Sequence, residues 1–146
     1  MIFQRTESGY TLIEMLITVS IVGILAAVVY PAYTNQVERA GRTEAKTMLL
    51  QAHARQESFF GTNNRYAGNM TALGYGNNLL LTENDRYHVS MNASSPNTFV
   101  LDAVPNPALP HADDSCGSFV IDHLTVKDIK HQPSTATISA RNCWGG

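Results

Sequence analysis

The sequence predicts an α+β chain: one long N-terminal α-helix with its C-terminal half packed on a small antiparallel sheet of about four strands. Three observations predict it. Residues 12–30 hold 15 apolar side chains in 19 positions. Apolar residues then recur mostly three or four positions apart as far as Phe59, which is the period of a helix with one buried face. After residue 85, short runs of β-favouring residues alternate with polar or Pro-containing loops. At 146 residues there is chain for a single core.

The balance of charge excludes several function classes. Ten Lys and Arg against twelve Asp and Glu give a net charge of −2, so no global field holds nucleic acid or an acidic membrane. Two cysteines are too few for a disulfide-dense miniprotein and lack the spacing of a zinc site. His53, His88, His111, His123 and His131 are scattered and match no metal-ligand spacing. No nucleophile elbow or P-loop is present. Gly74-Tyr75-Gly76 has no strand before it and no helix after it, so it is no nucleotide loop. His111-Ala112-Asp113-Asp114 reads as a solvated turn in a Pro-rich loop, and the sequons at Asn69 and Asn92 read as chance. The chain is expected to be a non-enzyme with no cofactor and no metal.

The first element is the apolar run LIEMLITVSIVGILAAVVY at 12–30. As a helix it is ~28 Å long, close to the ~30 Å of a bilayer's hydrocarbon layer. It has no Lys or Arg, and no small-residue cleavage site follows it, so it reads as a retained anchor and not a secretory signal. Glu14 lies just inside this run. One reading puts its carboxyl in the headgroup layer or protonated; the other has it await a cation. Gly23 and Pro31 both weaken a helix, Gly by backbone freedom and Pro by its missing N–H. Lipid would hold the segment helical, and outside lipid it is free to unwind.

MIFQRTESG followed by YTLIEMLITVSIVGILAAVVYPAY resembles the type IV pilin signature. The matching parts are a short hydrophilic leader ending in Gly9, an aromatic Tyr10, Glu14 four positions later, Gly23, and Pro31 closing the run. The resemblance implies the pilin fold. It also implies cleavage between Gly9 and Tyr10 by a prepilin peptidase on the cytoplasmic side, and N-methylation of Tyr10. The expected segments are a leader at 1–9, a hydrophobic membrane or filament-core half-helix at 10–30, an amphipathic half-helix at 31–60, and a globular periplasmic or surface region at 61–146. The family's usual residue after the cut is Phe; Tyr10 keeps the ring and adds a hydroxyl. The leader is only weakly basic, Arg5 being offset by Glu7, and Arg39, Arg42 and Lys46 beyond the span give positive-inside counting little to say.

The motif has a physical logic of its own. Cleavage frees an α-amine at Tyr10, and in a bundle of such helices a neighbour's Glu14 can pair with it. Inside an apolar core that pairing is strongly favoured over leaving either charge alone, and it fixes register more than it adds stability.

Past Pro31 the helix should continue. Val37, Gly41, Ala45, Met48, Ala52 and Phe59 lie on one face, with most charges elsewhere, and the end is signalled at Gly61-Thr62-Asn63-Asn64. A helix from about Thr11 to Phe60 would be ~75 Å long and implies partner helices. Residues 61–80, rich in Gly and Asn, read as a loop. Expected strands are 86–91, 98–104, 119–121 and 124–129, although Asp122-His123 lacks a turn glycine. Residues 105–115, with three prolines, read as a loop.

Residues 42–68 and the C-terminal SCGSFVIDHLTVKD…RNCWGG are similar to the minor-pilin subgroup that includes PilE-type subunits and DNA-uptake receptors. Free buried cysteines are one reading of Cys116 and Cys143. A body facing the periplasm would oxidise them into a bridge, and the resemblance implies that such a bridged segment is exposed on a filament surface.

The expected function is therefore a minor structural subunit of a type IV pilus, acting in assembly, twitching motility or adhesion. Expected partners are other pilin subunits, the assembly platform and the prepilin peptidase. The chain would sit in the inner membrane before assembly and in an extracellular pilus after it. The alternative is DNA binding in uptake, through Lys127, Lys130, His131, Arg141 and Trp144, where a basic patch beside an aromatic ring would take phosphate and stack a base. A type II secretion pseudopilin is a third reading, against which the cysteine pair argues.

Overall fold

The computed structural model describes residues 9–109, 114–130, 132–133 and 138–145, without the side chains of residues 93 and 94. The chain divides into two compact units, Met1–Val37 and Glu38–Gly146. Helix α1, Leu12–Asn63, runs from the first into the second.

In the first unit, the helix starts at a capping residue that the pattern of apolar residues did not signal. Thr11 Oγ1 accepts the backbone N–H of Glu14 (3.3 Å), and the Thr11 carbonyl accepts that of Met15 (3.2 Å). Thr-x-x-Glu is half of a capping box, which satisfies one of the orphan donors of the first turn. The large apolar side chains of residues 12–30 are all exposed, from 51% at Met15 to 78% at Leu12. The two aliphatic hydroxyls within the run bond back to the helix, Thr18 to the Met15 carbonyl and Ser20 to that of Leu16, so neither needs water. Gly23 and Pro31 lie inside the helix and neither breaks it. Helix α1 stops at Asn63 and not near Phe60, because Asn64 takes a left-handed φ of 52° and donates its N–H to the Phe60 carbonyl.

In the second unit the sheet is an antiparallel meander in the order β1-β2-β3-β4-β5: Leu80–Leu81, Tyr87–Ser95, Thr98–Pro105, Ser118–Asp122 and Lys127–Lys130. The fifth strand, beyond the expected four, is β1, whose two residues are too few to show an alternating pattern. The expected strand at 124–129 is shorter at its start. Residues 123–126 form the β4–β5 turn, in which the Asp122 carboxylate accepts the N–H groups of Leu124 and Val126, both at 2.9 Å, and Thr125 has a φ of 63°. Asp122 supplies the turn that a glycine was expected to supply.

The core follows from the two periods. Alternate residues of the strands face α1: Tyr87 and Val89, Phe99, Leu101 and Ala103, Phe119 and Ile121, all buried. The helix meets them with Gly41, Ala45, Leu49, Ala52 and Gln56. Leu49 and Gln56 replace Met48 and Phe59 as the most buried positions, and the latter two pack at the margin. Gly41 has a steric reason: a Cβ there would lie 2.7 Å from Cδ of Arg86. Gln56 is a buried polar residue whose amide donates to the Ala67 carbonyl (3.0 Å) and to Met91 Sδ (2.6 Å) and accepts the Ala67 N–H (2.9 Å). This clamp ties the start of the long loop to the helix.

Candidate functional site

The first candidate is the start of α1. Gly9 and Tyr10 precede the helix, and Tyr10 is 76% exposed. Glu14 is the acidic residue of the first turn, where a carboxylate also favours the positive end of the helix dipole. By length and composition, α1 contains a stretch apolar enough to cross a membrane. Gly23 has open space where a Cβ would be, so no contact within the described residues explains its size.

The second candidate is the bridged segment. Cys116 and Cys143 form a disulfide with Cα atoms 5.8 Å apart, and both are buried in the core cluster. The bridge ties the loop before β4 to α2, Ala140–Trp144. Lys46 Nζ donates to the Cys143 carbonyl (3.3 Å), and Trp144 Nε1–H donates to the Asp128 carbonyl on β5 (2.9 Å). The Trp144 ring meets Phe119 edge-on at 5.5 Å between centroids.

An ion pair that sequence reading missed holds the loop from beneath. Arg42 Nε donates to both carboxylate oxygens of Asp114 (2.8 and 3.1 Å), and Nη2 donates to Ser115 Oγ (3.1 Å). Asp114 Oδ1 also accepts the Cys116 N–H (2.8 Å). Burial by itself would lower the Arg42 pKa, but the hydrogen bond and charge of Asp114 outweigh it and hold the guanidinium above its ordinary value. Tyr87 is pushed well above the ordinary tyrosine value, first by burial and then by the charge of Asp114. The pair joins residues 72 positions apart, a separation at which sequence spacing carries no signal.

The structure brings together only part of the candidate nucleic-acid set. Lys127 Nζ stands 5.4 Å from the centroid of the Trp144 ring. Lys130 falls on the opposite face of the sheet, because β5 alternates and Lys130 pairs with Ser118 while Lys127 pairs with Ile121. Arg141 is exposed on α2. Trp144 is half-buried, with its N–H used by Asp128, one contact to Phe119 and Lys127 above the ring, so it packs against the fold and is not an open stacking platform. His131 and the residues 111–113 of the candidate cation turn lie outside the described residues. Among the described residues, no group of three or more His, Cys, Asp and Glu is placed to hold a metal ion.

Comparison with known proteins gives concordant matches. A family model described as type IV minor pilin ComP, DNA uptake sequence receptor, matches residues 31–120, more than half of the chain. The prokaryotic N-terminal methylation motif matches residues 4–30. The chain is 32% identical over 114 residues to the type IV major pilin protein PilA of Myxococcus xanthus, covering 78% of this chain and 50% of that one. It is 41% identical over 70 residues to the type IV wide pilus major component PilA4 of Thermus thermophilus, covering 48% and 53%. The chain thus spans about half the length of these relatives. A solved type IV pilin from Shewanella oneidensis has the same fold, with a TM-score of 0.50 at 21% identity over 70% of this chain and 96% of that one. By its apolar first helix, its bridged meander and these matches, the chain belongs to the type IV pilin family.

Proposed function

We propose that this chain is a minor structural subunit of a type IV pilus, cut between Gly9 and Tyr10 by a prepilin peptidase, N-methylated at Tyr10, and held in the inner membrane by residues 10–30 until it joins an extracellular filament. Within it, residues 31–60 act as the amphipathic half-helix and residues 61–146 as the surface body. The observation that carries this reading is the exposure of every large apolar side chain in residues 12–30, with Glu14 in the first turn. An apolar surface of that extent needs lipid or neighbouring helices. Other pilin subunits supply those helices, and the assembly platform moves the subunit from one to the other. In the filament core the Glu14 carboxylate pairs with the Tyr10 amine of an adjacent subunit, and Gly23 and Pro31 let the helix loosen once lipid is left behind. The role is structural, without catalysis or cofactor. Glu14→Ala tests the reading: the variant should be made and folded but absent from sheared pili by immunoblot. Incorporation at the native level would overturn it.

The match to a family described as a DNA uptake sequence receptor favours a second reading in which the same subunit binds DNA. Lys127 and Arg141 beside Trp144 are the residues for it, and Lys130 acts only if the DNA also reaches the other face of β5. A gel shift of the full chain in neutral detergent checks it: binding should fall with salt and weaken in Lys127→Gln with Arg141→Gln. Binding unchanged by these substitutions would remove these residues from the role.

A further inference from the structure

A cavity of about 540 Å3 opens beside the disulfide, inside the second unit. One wall is a single stripe of α1, formed by Arg39, Arg42, Thr43 and Lys46; the rest of the lining is the Cys116–Cys143 bridge, Asn142 of α2 and the apolar Ile138. Residues 39, 42, 43 and 46 are spaced so that a helix presents them side by side. Three cations therefore face one space. Arg42 is neutralised, because Asp114 takes its Nε–H and Glu38 lies 3.7 Å from Nη2. Arg39 and Lys46 have no ion-pair partner among the described residues. Lys46 is held at the wall by the neutral Cys143 carbonyl. Burial, followed by repulsion from Arg42, pulls its pKa down from the ordinary lysine value, which is the mark of a cation that lacks an anion.

We infer that this cavity is a binding site for a phosphate-class oxyanion, in which Arg39 and Lys46 supply the charge and Thr43 and Asn142 supply further donors. A phosphate has several oxygens to accept from such a ring of donors, and guanidinium groups fit it geometrically. The volume falls within the roughly 300–1,000 Å3 of small-molecule sites, so the anion can carry a substituent. It is either a free phosphate compound or the headgroup of an anionic phospholipid. The site is independent of the pilus reading, and Lys127 is not among the residues that line it.

The full chain, purified in neutral detergent at constant ionic strength, is dialysed to equilibrium against radiolabelled inorganic phosphate. In a second arm, dihexanoyl phosphatidylglycerol competes with the label or is titrated alone by calorimetry. Saturable phosphate binding assigns a free phosphate, and saturation by the lipid alone assigns a headgroup. Either should weaken about tenfold or more in Arg39→Gln with Lys46→Gln. Arg39→Gln alone, at an exposed position, should weaken it while leaving the melting temperature and the disulfide intact. Lys127→Gln should leave binding unchanged. Saturation by neither probe, or equal affinity in the double variant, overturns the inference.

Discussion

Removing the Asp114 carboxylate should destabilise the second unit by about 3 kcal/mol, and the structure sets that figure. Asp114 is 6% exposed and accepts three hydrogen bonds, two from Arg42 and one from the Cys116 N–H. In Asp114→Ala the guanidinium of Arg42, itself only 19% exposed, keeps Glu38 at 3.7 Å as its charged neighbour. Orphaning a fully buried charge costs roughly 3–5 kcal/mol. Residual solvent and Glu38 reduce that to about 2 kcal/mol, and the lost cap on Cys116 adds about 1 kcal/mol. The assay is urea unfolding of the full chain in neutral detergent with the disulfide intact, followed by Trp144 fluorescence. The double variant Arg42→Met with Asp114→Leu should lose less than the sum of its parts, because neither charge is then left alone. A loss below about 1 kcal/mol in Asp114→Ala, or strict additivity in the double variant, would refute the reasoning.

Three further outcomes follow from other contacts. Cys116→Ser with Cys143→Ser should lower stability by roughly 3–4 kcal/mol, read by the same unfolding curve, because the bridge closes a 27-residue separation; an unchanged midpoint would contradict it. Gln56→Ala should cost about 2 kcal/mol by leaving both polar groups of Ala67 without their buried partner, and faster hydrogen exchange at Ala67 is the local readout. The folded chain holds the Tyr87 proton more tightly than the unfolded chain, whose tyrosine has the ordinary value of 10.0. The unfolded state therefore releases that proton first, and stability should fall as pH rises above about 10. Tyr87→Phe should flatten that part of the pH profile, and an unaltered slope would count against the burial of this hydroxyl.

Legibility in the sequence tracked the range of the interaction. The apolar run at 12–30, the β-favouring run at 98–104 and the helical spacing of Gly41, Ala45 and Ala52 are local patterns, and each appears where the sequence placed it. Single-residue devices were harder to see. Asp122 makes the β4–β5 turn with its side chain, so a search for a turn glycine passes over it. Thr11 caps α1 through one hydroxyl. Gln56 is buried only because Ala67 returns to meet it. The alternation of β5 separates Lys127 from Lys130, which proximity in sequence had grouped. Arg42 and Asp114, like the cavity above Arg39 and Lys46, depend on elements that meet only in the folded chain.

Intact-mass spectrometry of the subunit taken from native pili tests the central claim most directly. The mass should be that of a chain beginning at Tyr10 with one amine hydrogen replaced by a methyl group, a gain of one CH2, and with residues 10–30 retained. A chain that begins at Met1, or one cut after the apolar run, would contradict it.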